Sequence, residues 1–171
     1  MGVRAVFLVG FMGSGKNTVG QELARRLCWD FVDLDARIEE RERQTVPDIF
    51  RSAGEPAFRR LETEILASLL QQIDRNTVVA LGGGAFVSTE NQRLLAGRST
   101  IFLDAPLPEL WKRCLEDRVE RPLRKNWDQF CRLHAERLPA YRQASVTIET
   151  SNKDVPAICD EIARALNLED A

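Results

Sequence analysis

The chain contains 171 residues, of which 44% are hydrophobic and 29% charged, and its formal net charge is −2 at pH 7. This length suits one compact domain, and the near-neutral charge does not favour nucleic acid or an anionic membrane surface as a partner. No apolar stretch approaches the ~20 residues of a membrane span. The four cysteines form no Cys-x-x-Cys pair, which indicates free thiols in a reducing cytoplasm.

Short apolar runs alternate along the chain with longer segments of helical periodicity. We predict strands at 4–10, 31–35, 77–84, 99–104 and 145–150, and helices at 15–27, 57–73, 89–95, 108–116 and 154–166. The continuously apolar run from Val6 to Val9 is typical of a strand that is buried on both faces of a parallel sheet. Strands that alternate with helices predict an α/β domain with helices on both faces of the sheet.

The segment GFMGSGKNT, residues 10–18, follows the first predicted strand and opens the first predicted helix. It fits the phosphate-loop pattern Gly-x-x-x-x-Gly-Lys-[Ser/Thr] except at its last position, which is Asn17. Glycines let the backbone turn its N–H groups toward phosphate oxygens, and the helix that begins near Gly15 adds its positive dipole end. Lys16 is placed to reach the β- and γ-phosphates. We therefore predict a phosphate-binding loop here.

Asp33 and Asp35 end the second predicted strand. Alternation along a strand would place both carboxylates on one face, beside the crevice at the carboxyl ends of the parallel strands. One could hold Mg²⁺, directly or through water, and the other could accept a proton or hydrogen bond from an acceptor hydroxyl. A surface turn is the alternative explanation of this Asp-x-Asp pattern.

Two further motifs favour an anionic ligand held close to the backbone. Arg59 and Arg60 lie early on the helix predicted at 57–73, and a guanidinium matches a carboxylate bidentately. Gly82, Gly83 and Gly84 follow the third predicted strand, and three consecutive residues without side chains let a ligand approach the chain.

The segment 115–144 is dense in charge and contains two prolines. It is either a solvated helical excursion or a mobile cationic flap over an anionic ligand. Guanidinium groups brought in by a closing lid stabilise the charge that spreads over a transferring phosphoryl group. Sequence rules do not show which of its arginines point inward: Arg118, Arg121, Arg124, Arg132, Arg137 and Arg142.

Taken in order, these motifs resemble those of the shikimate kinase family over nearly the whole chain: GFMGSGKNTVG, FVDLDARIEE, TVPDIFRSAGEPAFRRLE, VVALGGGA, RPL and the Arg–Tyr pair of ERLPAYRQA. The resemblance implies one domain, residues 1–171, with the three-layer α/β/α P-loop kinase fold. It implies a five-stranded parallel sheet of order 2-3-1-4-5 and a mobile lid at roughly 113–126. It also implies a monomeric cytoplasmic enzyme that uses Mg²⁺ and transfers the γ-phosphoryl of ATP to the 3-hydroxyl of shikimate. The product would be shikimate 3-phosphate, in the pathway to chorismate and the aromatic amino acids.

The resemblance also implies a role for each site residue. The nucleotide would be held by Gly13, Ser14, Gly15, Lys16, Asn17, Thr18 and Arg121. Shikimate would be held by Asp35, Arg59, Gly82, Gly83, Gly84 and Arg137. The catalytic residues would be Lys16, Asp35 and Arg121, with Asp35 orienting or deprotonating the attacking hydroxyl. Asp33 would enter the magnesium shell through water, beside Asn17.

The chain departs from the family pattern at position 17, where the family usually has Ser or Thr. The carbonyl oxygen of Asn17 can still serve magnesium, but the longer side chain must adopt a shifted rotamer, act through a water or leave the site. We expect a working kinase with weakened metal affinity. Two alternatives remain: another small-molecule kinase of the same fold, and a non-catalytic binding module that kept the pocket.

Overall fold

Five parallel strands form one sheet in the computed structural model, which describes residues 4–117 and 126–168. The strands are β1 (Ala5–Val9), β2 (Asp30–Asp33), β3 (Thr77–Ala80), β4 (Ser99–Asp104) and β5 (Val146–Glu149). Their order is β2-β3-β1-β4-β5, and in the central strand Val6 is in register with Val78 of β3 and Ser99 of β4. The predicted sheet and its strand order are confirmed.

Within the described residues eight α-helices are present, of which seven lie between strands and the last follows β5. They are α1 (Lys16–Leu27), α2 (Leu34–Glu42), α3 (Val46–Ala53), α4 (Glu55–Gln72), α5 (Thr89–Leu94), α6 (Leu107–Glu116), α7 (Trp127–Tyr141) and α8 (Val155–Leu166). A short 3₁₀ helix occupies Ala85–Val87.

The helices cover both faces of the sheet because consecutive side chains of a strand point to opposite faces. In β1, Phe7 and Val9 belong to the larger hydrophobic cluster, which also contains residues of α2, α3, α4, α6 and α7. Val6 and Leu8 belong to the second cluster, which α1 and α8 complete. The predicted three-layer α/β/α architecture is therefore confirmed.

The second strand is shorter than predicted, and the difference moves Asp35. β2 ends at Asp33, whose side chain caps α2 by accepting hydrogen bonds from the backbone N–H of Asp35 at 2.9 Å and of Ala36 at 3.4 Å. Asp35 consequently lies in the first turn of a helix. The inference that the two carboxylates alternate along one strand is wrong, although both still lie at the carboxyl end of the sheet.

The helix α7 occupies half of the charged segment 115–144. Asn126 caps α7, with its side-chain oxygen accepting from the N–H of Gln129 at 2.9 Å, and α7 buries Phe130 and Tyr141 in the core. The predicted lid is divided: residues 113–116 belong to α6, while 118–125, which include Arg121, lie outside the described residues. The lid and the role of Arg121 stay predictions.

Candidate active site

The phosphate loop runs from the end of β1 to the start of α1, as predicted. Gly13 has a φ of +80°, and a Cβ at this position would lie 2.7 Å from the carbonyl oxygen of Leu110, so both its conformation and its surroundings exclude a side chain. Gly15 caps α1 without a side-chain hydrogen bond, and the first turn of α1 carries no acidic residue. The positive end of this helix is therefore open to an anion.

The side chain of Lys16 folds back onto the phosphate loop. Its Nζ donates hydrogen bonds to the carbonyl oxygens of Gly10 at 2.7 Å and Phe11 at 3.1 Å, and to Oγ of Ser14 at 3.4 Å. The ammonium group thus stands beside the open end of α1, where its charge adds to that of the helix dipole. A phosphate bound there would meet both.

Asn17 and Asp33 are joined directly. The side-chain nitrogen of Asn17 donates to Oδ2 of Asp33 at 2.7 Å, while Oδ1 of Asp33 caps α2. Among the described residues no group of three or more His, Cys, Asp or Glu could hold a metal ion. The pair offers a carboxylate and an amide oxygen, which suit Mg²⁺, because this ion typically takes one or two protein oxygens and completes its shell with phosphate oxygens and water.

A cavity of about 300 Å³ opens next to the loop. It brings together most of the residues that the sequence singled out: Asn17, Asp33, Asp35, Arg59, Gly82, Gly83, Gly84 and Arg137. The neighbouring loop supplies Gly13, Ser14, Gly15 and Lys16, and Thr18 is exposed on α1. Arg60 is exposed and does not contribute to the cavity wall.

Arg59 is held between two glutamates of its own helix. Its Nη1 donates to Oε1 of Glu62 at 2.9 Å and its Nη2 to Oε1 of Glu55 at 3.3 Å. Glu62 is fully buried, and burial raises its pKa to about 7, although Arg59 opposes the shift and nearby Asp35 adds to it. Glu62 is not among the site residues predicted from the sequence. Its spacing of three residues after Arg59 on a predicted helix was the available signal.

The three glycines after β3 have different surroundings. A Cβ at Gly82 would lie 2.8 Å from Oδ1 of Asp35 and 2.9 Å from Oε2 of Glu62, and one at Gly84 would lie 2.5 Å from Cζ of Arg59. At Gly83 the nearest atom would be Nη1 of Arg137 at 3.4 Å. Two of the three positions thus make room for the protein's own charged side chains, and Gly83 is the one that leaves space for a ligand.

Arg137 and Tyr141 lie one turn apart on α7 and are both buried. The guanidinium of Arg137 stands over the ring of Phe11, 5.8 Å from its centroid. The Tyr141 hydroxyl donates to the carbonyl oxygen of Gly83, and burial raises the pKa of Tyr141 to about 12. In the sequence Tyr141 is recognised only as part of a family motif, and no role is predicted for it.

The cavity places two buried or half-buried guanidinium groups and an aspartate beside a loop that is shaped for phosphate. Arg59 and Arg137 can pair with a carboxylate, and Asp35 can accept a hydrogen bond from a hydroxyl. At the carboxyl edge of a doubly wound parallel sheet, this combination defines a P-loop phosphotransferase that acts on a small acidic alcohol.

Comparison with known proteins identifies the family. Residues 12–167 match the family model described as shikimate kinase. A shikimate kinase of Persephonella marina is 43% identical over 162 residues, which cover 94% of this chain and 97% of that protein. The structure of shikimate kinase from Acinetobacter baumannii in complex with shikimate has a TM-score of 0.89 at 32% identity and covers 99% of this chain and 96% of that one. The shikimate kinase structure from Aquifex aeolicus has a TM-score of 0.83 at 34% identity, covering 95% and 96%.

The chain belongs to the shikimate kinase family. Its predicted family, fold class and enzyme class, an ATP-dependent phosphotransferase with an alcohol as acceptor, are thereby confirmed. Within residues 4–117 and 126–168, no helix is both long and apolar enough to cross a membrane.

Proposed function

We propose that this chain transfers the γ-phosphoryl group of ATP to the 3-hydroxyl of shikimate and uses the cavity beside the phosphate loop as its acceptor site. The observation that carries the proposal is that Asp35, Arg59 and Arg137 line the same cavity as Asn17 and Asp33. The groups suited to the acceptor therefore adjoin those suited to the nucleotide and its metal. The relative from Acinetobacter baumannii, which binds shikimate, adds support.

The acceptor would be held by its carboxylate and its hydroxyls. Arg59 and Arg137 bind the carboxylate, and since Glu62 already takes Nη1 of Arg59, the guanidinium is oriented before the substrate arrives. Asp35 accepts a hydrogen bond from the attacking hydroxyl and orients or deprotonates it. Gly82, Gly83 and Gly84 form the glycine turn. Gly83 offers its backbone to the substrate at the one position of this turn that is not filled by a protein side chain. The absence of side chains at Gly82 and Gly84 leaves room for the side chains of Asp35, Glu62 and Arg59.

The nucleotide would be held by the loop and the start of α1. The backbone of Gly13, Ser14 and Gly15 surrounds the phosphates, and Asn17 and Thr18 follow at the open end of the helix. Lys16 exchanges its hydrogen bonds to the loop carbonyls for bonds to the β- and γ-phosphates. Arg121 would stabilise the charge of the transferring group.

Magnesium would be held by Asn17 and Asp33 together with phosphate oxygens and water. When bound, it would neutralise the charge that develops on the phosphates. Because the amide nitrogen of Asn17 faces Asp33, the side-chain oxygen of Asn17 is the atom left for the metal or for a water in its shell. Mg²⁺ requires near-ideal octahedral distances of about 2.0–2.1 Å, so we propose that this longer, already tethered side chain weakens metal binding.

We further propose that the enzyme works as a cytoplasmic monomer. None of the four cysteines, all of which lie within the described residues, forms a disulfide, which suits a reducing compartment. The acceptor cavity is built from residues of a single chain, so no second subunit is needed to complete it.

The proposal is tested by ADP release from ATP with and without shikimate, for the wild type and for Asp35→Asn. We expect shikimate-dependent turnover that Asp35→Asn reduces sharply through kcat. The matched control is Asp30→Asn, the same change of charge at the exposed start of β2, which should retain full activity. Turnover with gluconate or a nucleoside monophosphate in place of shikimate would indicate another kinase of this fold. Shikimate binding without ADP release at any magnesium concentration would indicate a binding module.

A further inference from the structure

Tyr141, the single tyrosine of the chain, has no part in the function proposed above, yet its hydroxyl reaches the glycine turn of the acceptor cavity. Its ring is fully buried and stacks on Phe102 of β4 with ring centroids 5.3 Å apart. The hydroxyl donates to the carbonyl oxygen of Gly83. Tyr141 is absent from the described wall of the cavity, so it approaches the turn from the protein interior.

The hydrogen bond from Tyr141 to Gly83 acts on the Gly83–Gly84 peptide, whose orientation the local sequence leaves open. Residues 82–85 form a β-turn in which the N–H of Ala85 donates to the carbonyl oxygen of Gly82 at 3.1 Å. Gly84 has φ −102° and ψ −7°, which matches the third residue of a type I turn, whereas a type II turn would require a φ of about +80°. The two types differ by a half-rotation of the peptide that joins Gly83 to Gly84. Glycine at position 84 permits both, so the local sequence does not decide the orientation.

The orientation of this peptide matters for an anionic acceptor. The C=O of Gly83 and the N–H of Gly84 belong to one planar trans peptide and point in opposite directions. With the Gly83 carbonyl bound to Tyr141 in the interior, the Gly84 N–H points away from Tyr141, and Gly84 itself lines the cavity. A flipped peptide would present the carbonyl oxygen there instead. That oxygen would repel a carboxylate and would compete with it for Arg59 and Arg137.

Arg137 lies one turn earlier than Tyr141 on α7, and its Nη1 is the atom nearest to the position of a Gly83 Cβ, at 3.4 Å. We propose that Tyr141 is a positioning residue: its hydroxyl holds the Gly83–Gly84 peptide in the orientation that, beside Arg137, receives the carboxylate of the acceptor. This inference rests on the assignment of the cavity to shikimate made above.

The first test is the dissociation constant of shikimate, measured by calorimetry for the wild type and Tyr141→Phe. The substitution keeps the stacked ring and removes only the hydroxyl. We expect binding to weaken about tenfold, the size expected from loss of one hydrogen bond, with ADP affinity unchanged. The matched control is Thr77→Val at the opposite end of β3, where a buried hydroxyl that donates to the carbonyl oxygen of Arg75 at 2.8 Å is removed. The control should lose stability without losing shikimate affinity.

The second test determines the orientation of the Gly83–Gly84 peptide from nuclear Overhauser effects in the protein without ligand. A type I turn brings the amide protons of Gly83 and Gly84 close together, and a type II turn brings the α-protons of Gly83 close to the amide proton of Gly84. We expect the type I pattern in the wild type and Thr77→Val, and a gain of the type II contact in Tyr141→Phe. Weaker binding without this change, the change without weaker binding, or neither would overturn the role of Tyr141. A wild type that bound no shikimate would instead refute the proposed function.

Discussion

The guanidinium of Arg59 lies where a side chain of Gly84 would be. A Cβ at Gly84 would stand 2.5 Å from both Cζ and Nη1 of Arg59, although Arg59 and Gly84 are 25 positions apart in the sequence. The backbone of Gly84 has a negative φ and so imposes no requirement for glycine. The requirement comes from Arg59 alone.

Gly84→Ala should therefore displace Arg59 and weaken shikimate binding by about 10- to 100-fold, the range for losing a hydrogen bond to a charged group. A double-mutant cycle shows whether the clash with Arg59 causes the effect of Gly84→Ala. In an Arg59→Ala background, Gly84→Ala should cost little stability, because the clashing group is gone. Urea unfolding of the four proteins gives the comparison, and an equal loss in both backgrounds would show that Gly84 is needed for another reason.

Arg137→Ala should raise the KM for shikimate by about 10- to 100-fold, since it removes one partner of a charge-assisted pair worth about 1.5–3 kcal/mol. The KM for ATP should change little. Arg132→Ala, which removes the same charge from the exposed face of α7, is the control and should leave both constants unchanged. An unaltered shikimate KM in Arg137→Ala would remove this residue from the acceptor site.

Asn17→Ser should tighten metal binding, because a hydroxyl on a shorter side chain can approach Mg²⁺ at its preferred distance. The measurement is Mn²⁺ binding in the presence of ADP by electron paramagnetic resonance, which reads the metal and not the reaction. Gln21→Ala, a change at an exposed residue one turn further along α1, should leave the affinity as it is. Equal affinities for the wild type and Asn17→Ser would show that Asn17 does not weaken the metal site.

Glu62→Gln should change the pH dependence of stability. The pKa of Glu62 is raised from 4.5 to about 7 in the folded protein, so the folded state binds its proton more tightly than the unfolded state does. The resulting stabilisation is complete below pH ~4.5 and is lost as the pH rises through ~7, an effect of at most about 3 kcal/mol. Gln cannot titrate. The free energy of unfolding of the wild type relative to Glu62→Gln should therefore fall between pH 5 and pH 8.

Urea unfolding at several pH values measures that difference. Glu64→Gln, at an exposed position two residues along the same helix, serves as control and should follow the wild type at every pH. A wild-type minus Glu62→Gln difference that did not vary with pH would mean that Glu62 is ionised in the folded protein across this range.

The strands were predictable from local apolar patterns, and their order was predictable only through the resemblance to a known family. The first two helices after β2 were not predicted, although signals were present. Asp33 caps α2, and Thr45 caps α3 by accepting from the N–H of Asp48 at 3.3 Å. Capping residues were available in the sequence, but the Asp-x-Asp pattern was interpreted as strand alternation. Asp33 both caps α2 and lines the cavity. Its position in the sequence therefore fits a continuing strand as well as the start of a helix, and only the backbone distinguishes the two.

Several residues that line the cavity were predicted singly from the sequence, whereas the contacts between distant segments were not. Sequence motifs indicated Arg59, Asp35 and the glycine turn separately. That Gly82 makes room for Asp35 and Glu62 depends on the approach of α2, α4 and the end of β3, which no local pattern encodes. The same holds for Tyr141, since only the packing of α7 against the sheet brings its hydroxyl to Gly83.

Two of the three tryptophans form an edge-to-face pair across the predicted lid. Trp111 of α6 and Trp127 of α7 have ring centroids 5.7 Å apart, while Trp29 belongs to the hydrophobic cluster on the other face of the sheet. Indoles at this separation couple their electronic transitions, so the near-ultraviolet circular dichroism of the protein reports how α6 and α7 are placed relative to each other. The enzyme thus carries an unlabelled optical signal at the two helices that flank the lid segment.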